Sequence, residues 1–322
     1  MRRVFKIVLG LLGLLVVLAA GFAAYIQIKG VPRYEANIPA SLATLQVPRD
    51  SAHVARGAKI ASLLCNECHR AEDGQLTGHI LPDLPKEFGK VASYNITQDP
   101  EHGIGKWTDA ELYYFLRTGI RKDGSWAPPF MPKFPLMADD DIHSIIAWLR
   151  SDAPSLSPSA REYPPNEYNF LIKFLANVAF TPPPLPAESI RVPDTTQTLA
   201  LGRYVANALC GCFACHSADF KTMNDLVPEK SEGFYGGGNP MLDLEGHTVP
   251  SANISPDKET GIGNWTAQQF YDAVKYGKKP QGGTLHYPMV PHTTLSDTEI
   301  NAVWAYLQTV PAIKNPVARY QE

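Results

Sequence analysis

The longest hydrophobic stretch of the chain lies near its N-terminus. Residues 7–28 contain no charged side chain and follow three basic ones, Arg2, Arg3 and Lys6. About 20 apolar residues are enough for a helix to cross the hydrocarbon core of a bilayer, and leading positive charges keep the N-terminal end in the cytoplasm. We therefore expect a transmembrane anchor; the alternative is a cleaved signal peptide, because small residues such as Ala23 could serve a peptidase. Either interpretation exports the rest of the chain.

Beyond this stretch, the pattern of polar and apolar positions occurs twice. Residues 95–119 align without a gap on residues 253–277, at an offset of 158, and 11 of the 25 positions are identical. Each copy carries Gly-Ile-Gly-x-Trp-Thr, which leads into the capping box of a predicted helix. A further capping box opens the last helix of the second copy. The three boxes are Thr108-x-x-Glu111, Thr266-x-x-Gln269 and Ser296-x-x-Glu299.

Each copy is also predicted to open and close with a helix. A glycine lies inside each opening helix, Gly57 or Gly202, where it costs on the order of 1 kcal/mol. We expect each glycine to allow a close crossing with the last helix of its own copy. Trp148 or Tyr306 would then lie against it.

The duplication defines two mainly α-helical tandem domains. The predicted segments are an anchor or signal peptide (1–29), a linker (30–47), domain one (48–153), a proline-rich linker (154–194), domain two (195–313) and a tail (314–322). The apolar centre of the proline-rich linker, residues 168–180, is predicted to form a short helix that cannot span a bilayer. We expect this helix to pack on the two domains; the alternative is contact with a membrane surface or a partner.

The candidate chemistry lies in a five-residue motif that occurs once in each domain, at residues 65–69 and 212–216. Cys-x-x-Cys-His attaches haem c: the two thiols form thioethers with the porphyrin vinyl groups, and the histidine binds the iron. Two covalently bound haem c groups are therefore predicted. The attachment residues are Cys65, Cys68, Cys212 and Cys215, and the iron ligands beside them are His69 and His216. A zinc site is disfavoured because it needs about four ligands and each motif offers three.

One methionine in each domain is predicted to be the second iron ligand. Met131 and Met289 lie in proline-flanked loops and align at the same offset of 158. Methionine ligation raises the reduction potential of the haem, and the prolines restrict the loop. Met223 and Met241 are weaker candidates in domain two, since the ordinary role of methionine is to fill a core. The other seven histidines do not recur at aligned positions, which argues against ligation by two histidines.

The fifth cysteine, Cys210, leaves an ambiguity. Counted from the helix glycine, Cys210 rather than Cys212 occupies the position of Cys65. Either domain two has a two-residue insertion before the standard motif, or Cys210 and Cys215 form a wider attachment motif. We favour the standard motif, which leaves Cys210 as a spare thiol and no cysteine pair for a disulfide.

Charge adds one exclusion. The formal net charge is −3, and the chain has no long basic or acidic run. Nothing therefore points to a nucleic-acid partner.

Together these motifs resemble the multihaem cytochrome c subunits of bacterial membrane-bound dehydrogenases for alcohols, aldehydes and gluconate. The shared pattern comprises Cys-x-x-Cys-His, Asn-Ile-Thr or Asn-Ile-Ser, Gly-Ile-Gly-x-Trp-Thr, the methionine loop and the final helix. The resemblance covers both domains and implies a class I cytochrome c fold in each. Those subunits commonly carry three haem domains, whereas this chain has two and an N-terminal anchor.

The expected function is electron transfer by a single-pass protein of the bacterial inner membrane, with its haem domains on the periplasmic side. Electrons would come from a periplasm-facing, membrane-bound dehydrogenase or from a quinol-oxidising respiratory complex, and would pass to a terminal oxidase or a soluble cytochrome. With both axial positions of the iron filled, no catalytic residue is assigned and enzymatic activity of the chain alone is not expected. The alternative is a dihaem enzyme, either a peroxidase or a thiosulfate-oxidising cytochrome.

Overall fold

The computed structural model describes residues 1–318 and is mainly helical, so residues 319–322 of the expected tail lie outside the described part. The α-helices are α1 (Arg2–Lys29), α2 (Ser51–Leu64), α3 (Asn66–His69), α4 (Asp109–Thr118), α5 (Asp139–Leu149), α6 (Phe170–Val178), α7 (Thr198–Arg203), α8 (Cys212–His216), α9 (Ala267–Tyr276) and α10 (Asp297–Leu307). Four short strands form two antiparallel pairs. They are β1 (Gly89–Lys90) with β2 (Glu167–Tyr168), and β3 (Pro240–Leu242) with β4 (Thr248–Pro250).

The three capping boxes are confirmed. In α4, α9 and α10 the side chain of the N-cap residue accepts a hydrogen bond from the backbone N–H of the third helical residue. The side chain of that third residue in turn accepts a hydrogen bond from the backbone N–H of the N-cap residue. Gly119 and Gly277 end α4 and α9 in the left-handed conformation, with φ of 74° and 71°. Equivalent local sequences thus begin and end equivalent helices.

The predicted glycine crossings are also confirmed. A Cβ atom on Gly57 would lie 1.9 Å from the carbonyl oxygen of Ser144 in α5. A Cβ on Gly202 would lie 2.0 Å from the carbonyl oxygen of Ala302 in α10. The Cβ atoms of Trp148 and Tyr306 are the next side-chain neighbours, at 2.7 and 2.8 Å. Only glycine allows the helices of each pair to approach this closely.

The two opening helices differ near the second cysteine motif. In the first half α2 runs without interruption to Cys65. In the second half α7 changes into a π-helix over Tyr204–Leu209, and Gly211 follows in the left-handed conformation with φ of 62°. A π-helix accommodates inserted residues within a helical path. The irregular backbone therefore coincides with the two-residue insertion expected before Cys212.

One apolar core runs through both halves, and a polar cluster lies at their junction. The guanidinium of Arg56 donates to both carboxylate oxygens of Asp141, at 2.8 and 2.9 Å, and to Glu299 at 2.8 Å. Asp141 also accepts from the Tyr204 hydroxyl at 2.5 Å, and Glu299 accepts from the Lys59 ammonium. Asp141 and Glu299 are equivalent at the offset of 158, and Lys59 and Tyr204 each follow their helix glycine by two residues. The Tyr204–Asp141 and Lys59–Glu299 contacts therefore join equivalent positions of the two repeats in opposite directions. The junction thus has approximate twofold symmetry.

The predicted short helix in the proline-rich segment is confirmed as α6. Its buried residues are Ile172 and Ala176, and Ala176 lies in a small apolar cluster with Tyr114 and Trp126 of the first half. The ring of Phe174 also contacts Phe22 of α1. Sequence reasoning expected packing on both domains; the contacts described here are with the first half and with α1.

Candidate haem-binding site

The two motif histidines have the same environment. His69 Nδ1 lies 2.7 Å from the carbonyl oxygen of Tyr94, and His216 Nδ1 lies 2.8 Å from that of Ala252. Tyr94 and Ala252 are equivalent at the offset of 158. Because a carbonyl can only accept, Nδ1 of each ring carries the proton and the lone pair is on Nε2.

Burial keeps both imidazoles neutral. The side chains are buried, with 7% and 9% of the residue surface exposed. Burial lowers the pKa of His69 to about 4 and lowers that of His216 as well, while the hydrogen bond to the carbonyl opposes the shift. A neutral imidazole whose Nδ1–H is held by a backbone carbonyl is the form that binds a metal through Nε2. Within residues 1–318, neither Nε2 has a hydrogen-bond partner.

The motif cysteines lie beside these histidines as free thiols. Burial raises the pKa of Cys65 to about 12, and those of Cys68 and Cys215 to about 11, so these groups are thiols at neutral pH. No disulfide forms within the described residues. Two thiols and one neutral imidazole per site fit the donor set that covalent haem c requires.

The thiol of Cys210 lies next to that of Cys212. A hydrogen bond from the Cys210 thiol lowers the pKa of Cys212, and the same bond together with burial raises the pKa of Cys210. Cys212 is the first residue of α8, whose last residue is His216. The helical turn that carries the histidine thus begins at Cys212, and Cys210 lies outside it.

The two methionine loops share equivalent backbone hydrogen bonds. Met131 N donates to the carbonyl of Pro128 at 3.1 Å, and Met289 N donates to that of His286 at 3.0 Å. Farther along, Phe134 N donates to Leu116 at 2.9 Å, and His292 N donates to Val274 at 2.8 Å. The donors of the two compared bonds differ by 158 residues in number, and so do their acceptors. The loops therefore present Met131 and Met289 in equivalent places, and both side chains are half-buried.

Arg117 and Lys275, which are equivalent in the repeat, support these loops. Arg117 is fully buried and donates to the carbonyls of Phe134 and Met137, at 2.7 and 2.5 Å. The Lys275 ammonium donates to the carbonyl of Leu295, the counterpart of Met137. These contacts support the loop that carries the methionine in each half.

Sequence reasoning missed His292, which follows Met289 by three residues. Burial lowers the pKa of His292, and the nearby His216 lowers it further. His292 is thus within electrostatic range of His216, although the first repeat has Phe134 at the equivalent position. Because the first repeat has no histidine at the equivalent position, comparison of the two repeats gave no sign of His292.

Sequence reasoning also missed a contact between the two sites. The Tyr287 hydroxyl, two residues before Met289, donates a hydrogen bond of 2.5 Å to Asp83 in the loop that follows the first cysteine motif. Burial, this bond and the charge of Asp83 raise the pKa of Tyr287. The methionine loop of the second half therefore lies against the loop that follows the first cysteine motif.

Lys133 lies in the corresponding loop of the first half. It follows Met131 by two residues, and its ammonium donates to the carbonyl of Pro128 at 2.7 Å. Burial lowers the pKa of Lys133 to about 7, and the charge of Asp225, ten residues after Cys215, opposes the shift. Lys133 is therefore within electrostatic range of the segment that follows the second cysteine motif.

Comparison with known proteins agrees with this site. The family model described as cytochrome c matches residues 54–152. The chain is 30% identical over 270 residues to a diheme cytochrome c-type protein of Cereibacter sphaeroides, covering 78% of this chain and 83% of that protein. With helices that cross at glycines and neutral histidines beside paired thiols, the molecule has the features of a c-type cytochrome, and the chain belongs to the cytochrome c family.

Cytochrome subunits of dehydrogenases are also similar to this chain. It is 28% identical over 297 residues to the cytochrome c subunit of alcohol dehydrogenase (quinone) from Gluconacetobacter polyoxogenes, covering 88% of this chain and 62% of the subunit. It is 29% identical over 265 residues to the fructose dehydrogenase cytochrome subunit of Gluconobacter japonicus, covering 77% and 50%. The chain therefore spans between half and two thirds of the length of these relatives.

Proposed function

We propose that the chain is a dihaem cytochrome c with two tandem class I domains, residues 48–153 and 195–313, joined by the proline-rich segment 154–194. The matching environments of His69 and His216 are the observation that carries this proposal. Both imidazoles are buried and neutral, both donate from Nδ1 to equivalent backbone carbonyls, and each lies beside a pair of thiols. These features support two attachment sites of one kind.

Each site has a proposed set of four residues. Cys65 and Cys68, and in the second site Cys212 and Cys215, would hold haem through thioethers. His69 with Met131, and His216 with Met289, would bind the two irons. When bound, haem c supplies a one-electron ferrous–ferric couple. The backbone carbonyls orient the histidines, and the shared loop scaffold orients the methionines.

The proposed activity is electron transfer rather than catalysis on a substrate. An iron with two protein ligands has no open position for a substrate, so the residues of each site act by burying the haem and setting its potential. The Tyr287–Asp83 contact between the two loops supports electron exchange between the sites. Cys210, which contacts Cys212 on the attachment side, does not favour a thiol enzyme.

The proposed partners follow from the relatives. We infer that electrons arrive from a membrane-bound dehydrogenase or from a quinol-oxidising complex, and leave to a terminal oxidase or a soluble cytochrome. Among the described residues, one helix, α1, is long and apolar enough to cross a membrane. We propose that α1 remains attached as an inner-membrane anchor, with both domains on the periplasmic side. Its contact with α6 supports an anchor over a cleaved signal peptide.

An optical experiment tests the proposed ligands. The ferric chain, purified in detergent with α1 intact, should show the weak near-infrared band of methionine bound to haem iron, with an intensity that accounts for two sites. The ferrous chain should not bind carbon monoxide readily. Rapid carbon monoxide binding at one haem would instead support the enzyme alternative, because it would reveal an open iron. Proteins that co-purify from the solubilised membrane would identify the partners.

A further inference from the structure

The helix α6 is held against the C-terminal end of α1. The rings of Phe174 and Phe22 pack edge to face, with their centroids 6.2 Å apart. The Asn177 side chain donates a hydrogen bond of 2.8 Å to the carbonyl oxygen of Gly30, directly after α1. Ile26 is 1% exposed and is the buried residue of α1. α6 is therefore packed along the end of the proposed anchor.

The position of Phe22 places this contact at the depth of the bilayer. A helix rises about 1.5 Å per residue, so Phe22 lies about 12 Å below Gly30 along the axis of α1. Tyr25 and Lys29, whose ammonium lies 5.6 Å from the Tyr25 ring, are the type of residues that mark the boundary between membrane and water. Phe22 is about one turn below this boundary, and the Phe174 ring that contacts it is therefore at the level of the acyl chains.

The outer surface of α6 is apolar and exposed. Phe170 is 42% exposed, Leu171 38% and Val178 51%. Lys173 is the one charged residue among Phe170–Val178, and a lysine can extend its ammonium toward the headgroups. Beside the start of α6, the exposed cations Lys86 and Lys90 are accompanied by the exposed acidic residues Glu87 and Glu167. The apolar side chains of α6 carry the argument, because they match a surface that meets lipid acyl chains.

We propose that α6 is an interfacial helix that inserts its exposed apolar side into the outer leaflet beside α1. The proposal rests on the membrane anchor proposed above. It commits to lipid as the occupant of this surface because α6 is continuous with the lipid-facing surface of α1 and lies at the depth of its last turns.

This arrangement fixes the first domain close to the membrane. Asn169 N donates to the carbonyl of Phe88 at 3.0 Å, and β2 pairs with β1, so the start of α6 is tied to the first domain. The ring of Phe130, next to Met131, lies 6.2 Å from that of Tyr168. The methionine loop of the first site is therefore beside the proposed lipid contact, and the first site is the one held at the membrane surface.

Hydrophobic photolabelling of the full chain tests the proposal. The haem-loaded protein is reconstituted in phosphatidylglycerol–phosphatidylethanolamine vesicles with a diazirine probe that partitions into the acyl region, and labelled residues are mapped by mass spectrometry. We expect label on α1 and on Phe170, Leu171 and Phe174. Phe220 and Leu244, which are 46% and 54% exposed in the second half, serve as controls and should stay unlabelled.

Paired variants separate lipid contact from general exposure. The double substitution Phe170→Glu with Leu171→Glu should lower the labelling of α6 severalfold, and it should leave the labelling of α1 and the haem content unchanged. The control Phe220→Glu should leave the labelling of both helices and the haem content unchanged. Label on α1 with α6 no higher than the Phe220 peptide would overturn the interfacial helix and point to a protein occupant. Absence of label from both helices would instead contradict the membrane anchor itself.

Discussion

The hydroxyl of Tyr287 and the carboxylate of Asp83 join the two halves of the molecule at their functional loops, with 2.5 Å between the oxygens. Tyr287 precedes Met289 by two residues, and Asp83 lies in the loop after the first cysteine motif. The contact is therefore between the proposed iron-ligand loop of one site and the loop that follows the cysteine motif of the other.

We expect Tyr287→Phe to destabilise the junction while keeping the ring in place. A hydrogen bond to a charged group contributes roughly 1.5–3 kcal/mol when buried, and we expect about 1 kcal/mol at this half-buried site. A double-mutant cycle with Asp83→Asn, read from chemical unfolding, measures the coupling. Strictly additive effects of the two substitutions would contradict a direct contact. The rate of electron equilibration between the haems after flash reduction should fall in the same variants.

The junction should weaken in acid because of Glu299. The hydrogen bonds from Lys59, Ser296 and Arg56 outweigh burial and lower the pKa of Glu299 to about 2. A carboxyl whose folded-state pKa is lowered stabilises the fold above its unfolded pKa, about 4.3, and this stabilisation is lost as the pH falls toward 2. We therefore expect the unfolding free energy to drop between pH 5 and pH 2 by on the order of 3 kcal/mol from this group.

Glu299→Gln tests whether Glu299 causes the loss of stability in acid, and Asp297→Asn serves as the matched control. The variant should be less stable than the parent at pH 7 and should lose less stability on acidification. Asp297→Asn, two residues away with a side chain that is 74% exposed, should reproduce the parent's pH dependence. If Glu299→Gln follows the parent curve at every pH, the ion cluster does not hold the junction.

His292→Phe tests whether His292, rather than Met289, binds the iron of the second site. Phe134 occupies the equivalent position in the first half with the same backbone hydrogen bond, so the local fold accepts phenylalanine. If Met289 is the ligand, the variant keeps the near-infrared methionine band of both sites. Loss of half of the low-spin signal in this variant would assign the ligand to His292. Met289→Leu, as the counterpart, should abolish the band of the second site and leave that of the first.

Cys210→Ala and Cys212→Ala test the attachment motif of the second half. Because α8 begins at Cys212 and ends at His216, removal of Cys212 should leave a haem with a single thioether, which shifts the reduced pyridine haemochrome band. Removal of Cys210 should leave that band unchanged. The opposite outcome would assign attachment to Cys210 and Cys215 and make the π-helix before Cys210 part of the attachment site.

Features written in local sequence could be predicted, because local chemistry determines them. The capping boxes at Thr108, Thr266 and Ser296 supply their own hydrogen bonds, and the crossing at Gly57 follows from the absence of a side chain. The repeat also predicted that the two methionine loops are equivalent, and their backbone hydrogen bonds agree with this.

Features that depend on how separate segments pack could not be predicted. Nothing near Tyr287 in sequence indicates that it reaches Asp83, and Arg56 contacts Glu299 across more than 200 residues. The π-helix was missed because a two-residue insertion can be accommodated either in a loop or within a helix. α6 was predicted as a helix, yet its contact with Phe22 depends on the fold of the whole first half.

The number of covalently bound haems tests the central claim most directly. Intact-mass spectrometry of the denatured, purified chain retains thioether-linked haem and loses any other. We predict the polypeptide mass plus two haems, with one haem lost when Cys65 and Cys68 are both replaced by alanine and the other when Cys212 and Cys215 are replaced. A parent chain that carries a single haem, or none, would contradict the account of two equivalent sites.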